Sequence, residues 1–132
     1  MKHILKLRNE VKCKMMFELI INPEGLDMYG EIPCLPVYDW ELDGKGERFV
    51  GDEPDSWLLL DDFVEKIYPI CENDLSYGDV DYFNKEKCII LKKWLADRMK
   101  KPMTPRLELL YGVLRDYVDR AIELGTGVVI EL

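Results

Sequence analysis

The residues best suited to chemistry in this chain are carboxylates, and one run of them has a recognisable spacing. Asp39-Trp40-Glu41-Leu42-Asp43-Gly44 sets oxygens at positions one, three and five and glycine at six, with Glu47 at nine, as an EF-hand calcium loop does. Position twelve, which has to supply a bidentate carboxylate, is Val50, and position eight is Gly46. Neither flank carries a helical pattern. The run reads instead as a β-hairpin with acidic outward residues.

Other chemistries find less to work with. His3, the only histidine, lies near the N-terminal end, where chains tend to fray, so no catalytic triad is expected on it, and a site of several histidines cannot be assembled. Cys13, Cys34, Cys71 and Cys88 are scattered without a C-x-x-C pair. Apolar neighbours, such as Ile89 and Ile90 beside Cys88, predict buried, inert thiols. No spacing singles out two carboxylates as a glycosidase-like pair. Phosphate-loop, dinucleotide and nucleophile-elbow motifs are missing from the sequence. No catalytic residue, cofactor or metal is expected.

The charge distribution is more informative. Net charge is −8, yet residues 23–86 hold eighteen acidic and four basic groups, and the segments on either side are both basic. Such a field repels nucleic acid and anionic membrane and favours a cationic partner. Trp40 and Trp57 lie within or beside that acidic segment. Tryptophan among carboxylates is the composition of a protein-binding hot spot, the ring supplying area and the charges steering. The competing reading has Trp40 filling the inner face of its strand with Tyr38 and Leu42, and Trp94 sitting in a helical core.

The elements that carry these residues follow from periodicity. A chain of 132 residues, nearly half of them hydrophobic, makes one domain over 1–132 with a core of its own. Met15 to Ile21 alternates as a mostly buried strand, followed by the turn Asn22-Pro23-Glu24-Gly25. Pro33 and Pro36 argue against a central strand nearby. Tyr38, Trp40 and Leu42 alternate with Asp39, Glu41 and Asp43, then Asp43-Gly44-Lys45-Gly46 turns the chain and Arg48 to Val50 returns. Gly51 to Asp55 reads as an acidic loop, and Trp57 to Leu60 as either strand or helix. Asp61 or Asp62 caps a short helix through Ile67 and Tyr68, and Asn73 to Asp81 is a loop. Asn84 caps a helix whose inner face is Cys88, Leu91, Trp94, Leu95 and Met99. Thr104 and Pro105 open the last helix, with its stripe from Leu107 to Ile122; Gly125 closes it, and Val128 to Leu132 is a strand. The order predicts an α+β fold, a largely antiparallel sheet with about three helices on one face and a C-terminal strand. The apolar run after the basic opening is interrupted by Glu18 and no cleavage site follows, which predicts a cytoplasmic protein with reduced thiols.

The short helix from Asp61 to Ile67, the two long helices and the closing ELGTGVVIEL resemble, over roughly residues 57–132, bacterial immunity proteins of polymorphic or contact-dependent inhibition toxin systems. The resemblance implies binding and occlusion of a cognate toxin domain, often a cationic nuclease, and carries over no site residue. With the charge pattern, it nominates Asp39, Glu41, Asp43, Glu47, Asp52, Glu53 and Asp55 as a steering face, with Trp57 as an anchor. Another acidic binding module, such as a nucleic-acid mimic, and a small carboxylate enzyme are the alternatives.

Overall fold

The computed structural model describes residues 15–73 and 75–132. The basic opening with His3 and Cys13, and Asp74, lie outside the described residues.

A four-stranded antiparallel sheet is built from β1 (Met15–Ile20), β4 (Gly46–Gly51), β5 (Val80–Phe83) and β6 (Val128–Glu131), in the order β4-β1-β6-β5. A separate two-stranded ribbon pairs β2 (Asp27–Tyr29) with β3 (Ile32–Cys34). All six residues of β1 are buried, because both faces of the sheet are covered. Side chains alternate across a strand, so Met15, Phe17 and Leu19 join Val128 and Ile130 in the main core. On the opposite face, Ile20, Leu35 and Val129 form a smaller core, with Leu26, Leu42 and Tyr82 packed against it. The lobe between β1 and β4 thus covers the back of the sheet.

Three helices cover the front. Helix α1 runs from Glu53–Leu59 through a π-turn at Leu60–Val64 into Glu65–Cys71, α2 is Lys85–Arg98 and α3 is Pro105–Leu124. Helix α3 takes its cap from Thr104, whose hydroxyl accepts from Leu107 N at 3.3 Å, and ends at Gly125 in the left-handed region at φ 72°. Its buried stripe is Leu107, Leu110, Tyr111, Leu114, Tyr117, Val118 and Ala121, the face the 3.6-residue period selects. Trp94 meets Phe63 and Tyr111 edge-on, at 5.5 and 5.6 Å between centroids, and belongs to the packing between the helices. Asn84 caps α2 and Cys88, Leu91 and Leu95 are buried on it. The α+β fold, with helices on one sheet face, is the one the sequence predicts.

Four local expectations are corrected. Residues 37–43 are not a strand: Asp39–Glu41 is a 3₁₀ turn, and β4 pairs with β1 instead. The backbone there closes on itself, Glu41 N donating to Tyr38 O and Leu42 N to Asp39 O, while Arg48 holds the preceding chain through the carbonyls of Pro36 and Val37, at 2.5 and 3.0 Å. Gly51 to Asp55 is not a loop: Gly51 ends β4, Asp52 is a helix cap and Pro54 sits in the first helical turn, where no amide hydrogen is needed. The expected cap at Asp61 or Asp62 lies inside α1, because Trp57 to Leu60 takes the helical of its two open readings. The loop from Asn73 ends earlier than expected, at β5, which completes the sheet beside β6.

Candidate interaction surface

The eight nominated residues divide between exposed and committed side chains. Asp55 is buried, and Arg106 donates to both its carboxylate oxygens, at 2.8 and 2.7 Å. It also closes a capping box with Asp52, each side chain accepting the other's backbone amide. The guanidinium of Arg106 holds the Asp55 carboxyl below the usual range against the opposing effect of burial, and the Asp52 amide adds to it. Glu47 points to the helical side and accepts from Arg120, which lowers its pKa in the same way. One residue on, Arg48 points to the back of the sheet and reaches Glu18 at 2.7 Å and Asp39 at 3.0 Å. Asp39 therefore faces a guanidinium, and no group of three His, Cys, Asp or Glu suited to a metal occurs among the described residues.

Glu41, Asp43 and Glu53 are exposed and have no ion-pair partner among the described residues. Asp52 is exposed too, with one oxygen engaged by the Asp55 amide. The nominated face is thus two surfaces. One is the lobe behind the sheet, with Asp39, Glu41 and Asp43. The other is the start of α1, with Asp52 and Glu53.

Each surface carries one exposed aromatic stack. Trp40 is 76% exposed, which corrects the expectation that it fills the inner face of a strand. Its ring stacks on Tyr38 at 4.4 Å and 11°, inside a single turn of chain. Trp57 is 53% exposed and stacks on Tyr77 at 5.0 Å and 7°. The two stacks differ in what they do for the fold. Trp57 and Tyr77 link α1 to the loop before β5, so that pair pins one element to another. Trp40 stacks only on a residue two positions away. It leaves a large aromatic surface in water beside Glu41 and Asp43, which have no ion pair among the described residues. Sequence reasoning ranked the two tryptophans the other way, because the alternation around Trp40 imitated a strand.

The thiols follow their surroundings. Cys34, Cys71 and Cys88 are buried, and burial pushes the Cys88 thiol up to about 12, far from a reactive thiolate. Among the described residues no helix is long and apolar enough to cross a membrane. Comparison with protein-family models, with curated proteins and with solved structures yields no match.

Proposed function

We propose that this protein is a toxin-neutralising binding protein of the bacterial immunity type, acting in the cytoplasm on a cationic toxin domain such as a nuclease. The observation that carries the reading is Trp40. It is the most exposed large hydrophobic residue described, it is held flat against Tyr38, and Glu41 and Asp43 flank it without cationic partners among the described residues. Trp40 buries little of its ring in this fold beyond the stack on Tyr38, whereas at an interface it supplies area at low entropic cost. The carboxylates around it accelerate encounter with a basic surface. Asp52, Glu53 and Trp57 form a second, flanking contact region.

The test is co-expression with a toxin domain encoded beside the gene. The wild type protects the cells, and a Trp40→Ala, Glu41→Lys, Asp43→Lys variant of matched thermal stability does not. Full protection by that variant removes this surface from the mechanism. Failure of the wild type to protect, or the lack of any such neighbouring toxin, removes the reading itself.

A further inference from the structure

Beside the Tyr38–Trp40 stack lies an open groove of about 320 Å³, at the small end of the roughly 300–1,000 Å³ typical of ligand sites. Its lining has two characters. Leu26, Pro36 and Val37, all half-buried, give it an apolar wall, which rests on the fully buried Leu35. Tyr38, Asp27 and Glu41 also line it, the two carboxylates being exposed and without an ion pair among the described residues.

An apolar wall with an acidic and aromatic lip fits one kind of side chain, an aliphatic stem ending in a cation. Arginine fits it best, because a planar guanidinium can meet carboxylates in two-point fashion and stack on an aromatic face. The stack on Trp40 holds the Tyr38 ring in place, so little freedom is lost on binding. Arg48 cannot fill this role. It is committed to Glu18, to Asp39 and to the carbonyls of Pro36 and Val37, and this same network fixes the chain that forms the wall.

We infer that this groove is a receptor for a single arginine side chain of the protein partner, the central pocket of the acidic surface. The identity of the partner rests on the proposed function; the binding of the side chain does not. The same groove is the part of the surface that distinguishes one basic partner from another, since charge alone steers any of them.

The probe is N-acetyl-arginine methylamide, titrated into the full chain while backbone amides and the Trp40 indole are followed by NMR. Saturable shifts are expected at Leu26, Asp27, Tyr38 and Glu41, with affinity in the millimolar range suited to so small a ligand. The Asp27→Asn, Glu41→Gln double variant, which touches no ion pair among the described residues, weakens binding at least tenfold. N-acetyl-norleucine methylamide, which keeps the stem and lacks the charge, does not saturate. No saturable response to the arginine compound, equal binding by the norleucine compound, or full binding by the double variant each overturns the inference. If arginine binds as described but the double variant protects cells fully against the toxin, the groove stands and its part in neutralisation falls. If arginine fails to bind while Trp40→Ala abolishes protection, the groove falls and the proposed function stands.

Discussion

Glu47 and Arg48 are consecutive in sequence and stand on opposite faces of the sheet, each already engaged by opposite charge: Glu47 by Arg120 of the last helix, Arg48 by Glu18 and Asp39. A strand places neighbours on opposite faces, so a run of charges along it never makes one charged surface. Asp39, Glu47 and Asp55 are therefore engaged by cations of the fold itself, and the steering field comes from those left over. Glu47→Gln is expected to change the rate of association with a basic partner less than twofold, whereas Glu41→Lys with Asp43→Lys slows it at least tenfold. Stopped-flow measurements at low ionic strength separate the two cases.

Tyr111 anchors a different polar contact. Its hydroxyl donates to Asp62 at 2.5 Å, and Arg98 donates to both oxygens of the same carboxylate, at 2.9 and 3.0 Å. Asp62 lies in the π-turn of α1, Arg98 ends α2 and Tyr111 is in α3, so one carboxylate joins all three helices. Tyr111→Phe keeps the ring packed and removes one charge-assisted hydrogen bond. The expected loss is about 2 kcal/mol, read as a lower urea midpoint with an unchanged m-value.

The same carboxylate makes stability depend on pH. Burial raises the Asp62 pKa, but the hydrogen bonds from Arg98 and Tyr111 outweigh it, and the net shift is downward. Glu47 and Asp55 are lowered as well, chiefly by Arg120 and Arg106. A carboxylate whose folded pKa lies below its unfolded one stabilises above the unfolded value and loses that contribution as pH falls through the folded value. Stability should therefore fall below about pH 4, near the ordinary aspartate range. Denaturant unfolding of Asp62→Asn across this range is expected to show a shallower acid limb than the wild type.

Cys71 and Cys88 are expected to resist alkylation in the native state and to react once urea unfolds the chain. Burial raises Cys71 as well as Cys88, so little thiolate is present at neutral pH. Peptide mapping after iodoacetamide treatment, with and without urea, checks each thiol separately. Modification of Cys88 at a native rate comparable with that in urea would contradict its packing.

The last helix and strand were fully legible because cap, stripe and glycine stop all agree from Thr104 to Gly125. The first half of α1 was not. Pro54 and three acidic residues look like a loop, and the Asp52–Asp55 capping box that makes them a helix start has no Ser or Thr to announce it. The strand β5 is four residues long, and Asp81 interrupts its apolar pattern. Around Trp40 the alternation of apolar and acidic residues was genuine, but a strand also needs a free neighbour. Residues 38–42 have none, and close instead into a turn through Glu41 N to Tyr38 O and Leu42 N to Asp39 O, which leaves Trp40 in solvent.

The lobe carrying Trp40, Glu41 and Asp43 is the surface proposed to dock a cationic partner. The most direct test is surface-based kinetics of the protein against the toxin domain encoded beside it, for the wild type and Trp40→Ala, at low and physiological ionic strength. The account predicts an association rate that falls at least tenfold as salt is raised, and a Trp40→Ala dissociation rate at least tenfold faster at either salt. An association rate indifferent to salt, together with a Trp40→Ala variant that dissociates like the wild type, would contradict it.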